Sequence, residues 1–189
     1  MVSLARALAA DPGLGLRDAF EFLEGAAGAE KIGAYGLATW NGFRQPADSP
    51  EYHSLPDVVA AAREVAGNAH HFGFVQLPLN LMMPEAAVLP NQLVAGRPVP
   101  LLAAAAELGV AVIASAPGFQ GHLDRGLPRA LAKAIGLRND FERAVQFARS
   151  APGLTTALVG MGRAKHVRSN LRLARESPLP GERFWSRLR

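Results

Sequence analysis

Four short apolar runs constrain the fold of this chain more than any other feature of its sequence. They cover residues 32–40, 72–80, 110–118 and 155–162. Each run is nearly continuous instead of alternating with polar residues, which is typical of strands buried on both faces of a parallel sheet. Successive runs begin roughly 40 residues apart, which leaves room for a crossover helix between neighbouring strands. The sequence therefore predicts a parallel α/β sheet.

Helical periodicity fills the segments between the runs. Pro56 and Pro100 open two of these segments, and Gly67 and Gly109 close them, as helix ends prefer. An extra segment lies between the third run and its main helix. The order is one helix followed by four βα units, which implies right-handed crossovers. The predicted helices cover residues 16–31, 56–67, 100–109, 139–150 and 166–176, and the extra segment covers residues 127–136.

The number of units leaves two architectures open. A complete (β/α)8 barrel needs about 250 residues and eight units, whereas this chain has 189 residues and four units. It is either an open four-stranded α/β sheet or half of a barrel. We expect one domain over residues 1–189, with a loose tail at 177–189 in which Phe184 and Trp185 dock against the core.

Composition and charge exclude several classes of protein. Hydrophobic residues make up 49% and charged residues 19%, as in globular proteins. The net charge is only +4, and the 17 Arg and 3 Lys are spread along the chain instead of clustering as in a nucleic-acid-binding surface. The absence of cysteine excludes disulfides and thiolate zinc sites. No run reaches 18 apolar residues and no signal-peptide pattern opens the chain, so we expect a cytoplasmic protein without membrane or nucleic-acid partners.

The segment 156–170 carries an electrostatic conflict. An apolar run ends in the glycine turn 160–162, and a helix with a basic first turn follows. Cations are unfavourable there because a helix N-terminus carries partial positive charge. A bound anion would remove the conflict. The alternative is a helix whose basic side chains are exposed to solvent and bind no ligand. The basic residues are Arg163, Lys165, His166 and Arg168.

Four stretches together resemble the aldo/keto reductase family. They are KIGAYGLATWNGFR, HHFGFVQLPLNLMMPEA, ELGVAVIASAPGFQG and ALVGMGRAKHVRSNL. Their order, spacing and turn residues match the C-terminal half of that family's barrel, from the fourth helix to the eighth, over residues 16–176. The resemblance implies an α/β fold of the parallel (β/α)8 TIM-barrel type, here a partial barrel of four βα units. It also implies hydride transfer between NAD(P)H and a small-molecule carbonyl substrate.

The resemblance further implies cofactor-binding residues at the ends of all four strands. Thr39 keeps a hydroxyl in the pair that holds the nicotinamide carboxamide, and Gln76 faces the same group. Ser115 stands where the family commonly stacks an aromatic ring on the nicotinamide. The implied set is Thr39, Gln76, Ser115, Ala116, Pro117, Gly118, Gly121, Gly160, Met161, Gly162, Arg163, His166 and Asn170.

Within this set, the residues after the fourth run would hold the adenosine phosphate. Asn170 is the asparagine on the adenine side. Arg163 and His166 provide basic side chains that would contact a 2′-phosphate, which favours NADP over NAD. Gly160 stands where the family places a lysine partner for that phosphate, and this departs from the family pattern.

Several of these residues also have a purely structural interpretation. The buried amide of Gln76 needs a partner, either a ligand or a backbone group. The glycines in 115–122 let backbone N–H groups approach a pyrophosphate, but turn geometry also explains them. Trp40, Asn80 and Met82 follow predicted strands, where barrel loops contact substrate, and plain packing is the alternative.

Two further motifs have a structural interpretation only. His70 and His71 are adjacent on a strand and point to opposite faces, so we expect packing at the strand entry and no metal site. The glycine pair in Gly13-Leu14-Gly15 follows no strand, and we interpret it as a loop.

The catalytic residues of the family lie upstream of the matched part. Carbonyl reduction needs a general acid, and neither Tyr35 nor Tyr52 has a lysine partner at a motif spacing. We therefore predict no catalytic residue and two functions. In the first function, the chain is the part of an oxidoreductase that holds the cofactor. In the second, it is an inactive half-barrel, either truncated or split, that only binds nucleotide, pairs with a partner half or self-associates through exposed edges. A small open α/β domain for another phosphate ligand is a third hypothesis.

Overall fold

A computed structural model describes residues 15–181 and residue 184. The described residues form two compact units: residues 15–77 with 88–112, and residues 78–87 with 113–181 and 184. The elements in chain order are α1 (Leu16–Gly28), β1 (Tyr35–Ala38), α2 (Leu55–Ala66), β2 (Phe72–Pro78), α3 (Glu85–Val88), β3 (Gln92–Val94), β4 (Arg97–Val99), α4 (Leu101–Leu108), β5 (Ala111–Ser115), α5 (Arg129–Ile135), α6 (Asp140–Arg149), β6 (Thr156–Ala157) and α7 (Ala164–Ala174).

The four predicted strands are present, each within its apolar run. They form a four-stranded sheet in the order β1-β2-β5-β6. In the first unit β1 runs parallel to β2, and in the second unit the end of β5 runs parallel to β6, with Ile113 opposite Thr156. The predicted parallel α/β fold is confirmed.

Burial along the strands differs from the expectation of two covered faces. In β1, Tyr35 and Leu37 are each 6% exposed, whereas Gly36 between them is exposed. In β2, Phe74 is 39% exposed although its neighbour Val75 is fully buried. This alternation is the pattern of a sheet that is covered on one side. Small and apolar residues on the open face made the runs look continuous in the sequence.

The helices begin and end where local chemistry predicts. Ser54 accepts a hydrogen bond of 3.2 Å from the Asp57 backbone N–H and caps α2. Asn139 accepts one of 2.9 Å from the Glu142 N–H and caps α6. Gly109 ends α4 in the left-handed region at φ 71°, where glycine has no steric penalty. All five predicted helices are confirmed, with boundaries shifted by up to three residues, and the extra segment contains a further helix, α5.

An antiparallel hairpin, β3–β4, is absent from the sequence prediction. Its strands have three residues each, too few for a period-two pattern, and Pro98 within β4 argues against a strand. The two-residue turn has positive φ at both positions, 48° at Ala95 and 76° at Gly96. That is the geometry of the primed turns that match the twist of a hairpin.

The hairpin anchors the loop that follows β1. The Gln92 side chain is fully buried, accepts a hydrogen bond of 2.7 Å from the Leu55 backbone N–H and donates one of 3.2 Å to the His53 carbonyl. Asn91 donates to the carbonyls of Phe43 and Gln45, at 2.9 and 2.7 Å. These amides satisfy backbone groups that no secondary structure pairs.

Replacing Gln92 tests this anchor. We expect Gln92→Leu to lower the free energy of unfolding by about 1–3 kcal/mol, because it leaves the buried Leu55 N–H and the His53 carbonyl without partners. The measurement is urea denaturation of the purified chain. Leu93→Ala is the control, since Leu93 is 63% exposed in the same strand. An equal loss in both variants would contradict the anchoring role.

The predicted packing at the strand entry involves a carboxylate of α1. The backbone N–H and the Nδ1 of His71 each lie 2.7 Å from a Glu24 carboxylate oxygen. Tyr35 donates its hydroxyl to the same carboxylate at 2.8 Å, and burial and the Glu24 carboxylate raise the pKa of Tyr35 above its usual range. These bonds tie α1 to the amino ends of β1 and β2.

The tail docks where the structure describes it. Phe184 is fully buried and stacks on Phe147, with ring centroids 4.9 Å apart, as expected. Trp185, Gly13 and Leu14 lie outside the described residues, whereas Gly15 precedes α1 and donates its N–H to Asp18 at 2.9 Å. No helix in the described part of the chain has the length and apolar character required to span a bilayer.

Candidate functional site

Two adjoining clefts in the second unit form the candidate site. The first, which we call the α7 cleft, has a volume of about 420 Å³, and the second, the β5-loop cleft, has about 380 Å³. They share Phe141, Gly160 and His166. The α7 cleft is also lined by Asp124, Asn139, Lys165, Ser169 and Asn170, and the β5-loop cleft by Ala116, Pro117, Gly118, Gln120, Gly121, Leu158 and Val159.

The two clefts bring together seven residues of the predicted cofactor set. Their sequence positions span three separate segments, after β5, after β6 and within α7. The seven are Ala116, Pro117, Gly118, Gly121, Gly160, His166 and Asn170. Ser115, Gly162 and Arg163 line neither cleft, and Met161 lines a separate cleft of about 440 Å³ that also reaches Asn170. Thr39 and Gln76 belong to the first unit.

The loop after β5 is held in a strained conformation. Ala116, Phe119 and Gln120 have φ values of 49°, 47° and 55°, in the left-handed region that non-glycine residues rarely adopt. Asn80 is fully buried, donates its amide to the Ala116 carbonyl at 3.0 Å and accepts the Met82 N–H at 2.9 Å. The predicted substrate residue Asn80 therefore holds this loop, and strain of this kind concentrates at binding sites.

Position 118 requires a glycine because the neighbouring residues leave no space for a side chain. A Cβ atom at this position would lie 2.5 Å from Cε2 of Phe141, far closer than side chains approach one another. Phe141 lines both clefts. The glycine thus lets the β5 loop pass against the aromatic ring that borders the site.

The start of α7 presents cations and free backbone donors without any acidic residue in its first turn. Arg163 precedes the helix in an extended conformation, and no side chain caps the N-terminus. All four residues are exposed; Lys165 and His166 line the α7 cleft, whereas Arg163 and Arg168 do not. The residue-by-residue comparison with the family missed Lys165. Its helical spacing of four residues from Ser169 was the signal that places both on one face.

Asn170 and Thr39 each carry a buried polar atom that lacks a partner. Among the described residues, the Nδ2 of Asn170 and the Oγ1 of Thr39 form no hydrogen bond. The Thr39 backbone N–H donates to the Gln76 carbonyl at 2.9 Å, and the Gln76 side chain is half-buried. Because buried polar atoms are normally paired, these two atoms favour a ligand.

A buried carboxylate joins α6 to α7 behind the cleft. Glu142 is 2% exposed and accepts hydrogen bonds from the Ser169 hydroxyl at 2.9 Å, from the Arg138 N–H at 3.3 Å and from the Arg172 guanidinium. Burial acts to raise the pKa of Glu142, but the hydrogen bonds from Ser169, Arg172 and Arg138 outweigh it and hold the pKa below 4.5. Sequence reasoning missed Glu142, because the pattern places it on a helix without revealing its partners.

The lowered pKa of Glu142 predicts a pH dependence of stability. The folded state holds the carboxylate more strongly than the unfolded state, so its contribution is present above pH 4.5 and is lost as the pH falls through the lower folded value. We expect Glu142→Gln to be less stable than the wild type by about 3 kcal/mol at pH 7, with the gap narrowing below pH 4.5. Urea denaturation across this range measures it.

Glu21 supplies the control for the pH experiment, because it is exposed on α1. Glu21→Gln should shift the free energy of unfolding by less than about 0.5 kcal/mol at every pH. A gap between Glu142→Gln and the wild type that stays constant from pH 7 to pH 3 would contradict the role of the ionised carboxylate.

An ion pair fixes the segment that precedes the cleft residues Asn139 and Phe141. Arg143 contacts the Asp140 carboxylate at 2.5 Å and donates to the carbonyls of Gly136 and Leu137, each at 2.7 Å. Asp140 in turn accepts the Leu127 N–H at 3.0 Å, and the hydrogen bonds from Leu127 and Arg143 lower its pKa. Both ends of α5 are thereby attached to α6.

Comparison with known proteins identifies the fold. Neither a protein-family model nor a curated protein sequence matches the chain. Solved structures of aldo-keto reductases match it, with TM-scores of 0.58 to 0.63 and 13–18% identity. The chain spans about half the length of these proteins, 54–57%. The fold is therefore that of a partial aldo-keto reductase barrel.

Three of these structures illustrate the likeness. The glycerol dehydrogenase AKR11B4 from Gluconobacter oxydans is 18% identical and matches 94% of this chain and 54% of its own, with a TM-score of 0.63. The holo form of the aldo-keto reductase AKR11C1 from Bacillus halodurans is 15% identical over 91% of this chain and 56% of its own, with a TM-score of 0.58. The thermostable aldo-keto reductase Tm1743, in complex with the inhibitor epalrestat, is 13% identical over 94% and 55%, with a TM-score of 0.63.

Proposed function

We propose that this chain is the nucleotide-binding part of an aldo/keto reductase-type oxidoreductase and binds NADP(H) in the α7 and β5-loop clefts. The convergence of three separate segments on these adjoining clefts carries the proposal. The fold of the structural neighbours, an oxidoreductase fold, supports it. Lys165 and His166 in the cleft favour the additional phosphate of NADP over NAD.

The residues present fit this cofactor. The free N–H groups at the start of α7 and the glycine-containing loop after β5 would hold phosphate oxygens, with Lys165 and His166 as counter-charges. Asn170 would donate its unpaired amide to the adenine. The carboxamide contacts of Thr39 and Gln76, which belong to the first unit, stay predictions from the resemblance. When bound, the cofactor supplies the hydride.

Exposed side chains near the strand ends provide candidate contacts to a small carbonyl substrate. Trp40 is 46% exposed after β1, and Met82 is 63% exposed after β2. The exposed indole and the exposed thioether each suit contact with an apolar substrate, and they belong to different units. Asn80 supports Met82 and the β5 loop through its bonds to Met82 and Ala116.

The tyrosines of the chain do not supply the proton that carbonyl reduction requires. Tyr35 lies at the amino end of β1, about 10 Å along the strand from the carboxyl end, where barrel enzymes place their chemistry. Tyr52 donates its hydroxyl to the Asn91 carbonyl at 2.6 Å, and burial raises its pKa. We therefore infer that the chain binds the cofactor without turning it over.

Binding and turnover can be measured on the same preparation. We expect NADPH fluorescence to change on titration with the purified chain, and NADPH oxidation with a simple aldehyde to stay at the buffer rate. Absence of binding would contradict the proposed cofactor site. Turnover would contradict the inference about the tyrosines and would require another proton donor.

Pairing with a partner half is a second candidate function, and the open strand positions favour it. Phe74 on β2 is 39% exposed, and Leu158, which follows β6, is 48% exposed. Apolar strand residues exposed in this way are typical of surfaces that another chain covers. Sedimentation velocity at rising protein concentration tests for self-association, and a monomer at all concentrations would contradict this candidate in its self-associating form.

A further inference from the structure

The two outer strands of the sheet, β1 and β6, each have one helix beside them and one open side. α1 packs on β1, where the centroids of the Phe20 and Tyr35 rings lie 5.2 Å apart. α7 lies beside β6, because Leu173 of α7 and Thr156 of β6 border the same cleft. In the described part of the chain, β1 pairs only with β2 and β6 pairs only with β5. The other side of each outer strand is free to pair with a further strand.

The outward face of α1 combines an apolar side chain with carboxylates. Phe22 is 77% exposed on this helix. Asp18 and Glu21 are exposed as well, and their spacing of three and four residues places Asp18, Glu21 and Phe22 on one face. This face, which we call the acidic face, suits a partner that offers cations around an apolar side chain.

The outward face of α7 has the opposite charge. Leu171 is 58% exposed, and the exposed residues Arg168 and Arg175 lie three residues before it and four residues after it. Within the described part of the chain, neither of these arginines forms an ion pair, and Glu21 of the acidic face forms none either. This basic face therefore matches the acidic face in pattern and complements it in charge.

We propose that two copies of this chain associate by placing the acidic face of α1 in each copy against the basic face of α7 in the other. A second copy is the partner that fits, because one chain carries both of the complementary faces. This inference rests on the self-associating form of the second candidate function, and it is independent of nucleotide binding.

The number of strands favours a closed pair of copies over a longer assembly. A contact between two different faces either closes into a ring or continues as an open filament. One chain supplies four strands to its sheet, so two copies supply eight, which is the number in a complete barrel of this type. Closure would also cover the exposed strand-region residues Phe74 and Leu158. The inferred assembly is a dimer with two equivalent α1–α7 contacts.

Reversing one charge on each face tests these contacts by sedimentation equilibrium of the full chain. Glu21→Arg places like charges at both contacts, and Arg168→Glu does the same, so each variant alone should raise the dissociation constant of the dimer about tenfold. In an equimolar mixture of the two variants, both contacts of the mixed dimer join opposite charges again. The mixture should therefore dimerise as tightly as the wild type.

Arg129→Glu is the control for the reversals. It makes the same change of charge as Arg168→Glu, but Arg129 is exposed on α5 and belongs to neither face. We expect it to leave the dissociation constant unchanged. If Arg168→Glu does not fold, Arg175→Glu takes its place in the mixture, because Arg175 belongs to the same basic face.

The outcomes distinguish this contact from self-association of another kind. A wild-type dimer that neither reversal weakens, or two weakened variants that do not recover on mixing, would overturn the proposal and leave self-association intact. Assemblies larger than a dimer would overturn it as well, because the two contacts would not close. A wild type that remains monomeric would overturn both the proposal and the self-associating form of the second candidate function. NADPH titration of the same preparation reports on the nucleotide site separately.

Discussion

Lys165→Glu is expected to weaken NADPH binding by about tenfold. The side chain lines the α7 cleft close to the free N–H groups of the helix start, so its cation would face the ligand phosphates directly. Lys165 is exposed, so the loss of its attraction costs about 0.2–1 kcal/mol, and the introduced carboxylate adds repulsion of similar size. Fluorescence titration at low ionic strength measures the effect, because salt screens it.

Arg168→Glu provides the matched control for this experiment. It makes the same change of charge at another exposed position three residues further along the same helix, but Arg168 lines neither cleft. We expect less than threefold loss of affinity. Similar losses in the two variants would mean that the net charge of α7, and not a cation at the cleft, attracts the nucleotide.

The sequence predicted the elements whose signals are local. The apolar runs located all four strands of the sheet, and proline, asparagine and glycine marked the ends of the main helices. The β3–β4 hairpin was not predicted, because strands of three residues are too short to show the alternation of a strand. The exposed positions of β1 and β2 were not predicted either, because Gly36 and Phe74 are no more polar than the buried residues beside them.

The residues of the candidate site also divide into those that carry a local sequence signal and those that do not. Turn chemistry and the family resemblance pointed to Gly118, Gly160 and Asn170, and the structure places all three on the clefts. The contact between Glu142 and Ser169 was not predicted, because it joins residues 27 positions apart and depends on how α6 packs against α7. A sequence pattern shows which face of a helix is apolar, but not which polar groups meet behind it.

Gly118→Val is expected to have the second large effect. The new side chain begins 2.5 Å from the Phe141 ring, so either the ring or the β5 loop has to move. The loop has little freedom, because Ala116 is held at φ 49° by the bond from Asn80. We therefore expect Phe141 to be displaced into the clefts it borders, with stability lowered by about 1–3 kcal/mol and NADPH affinity by more than tenfold.

A second substitution distinguishes displacement of the ring from general damage. Phe141→Leu on the Gly118→Val background shortens the obstructing side chain and should restore part of both the stability and the affinity. Gly33→Val is the control, because a Cβ atom there meets nothing within 4 Å and the residue lies outside both clefts and outside the predicted cofactor set. Independent, additive losses in the double variant would show that the two side chains do not compete for space. Positive coupling between positions 118 and 141 would locate the damage at the cleft wall.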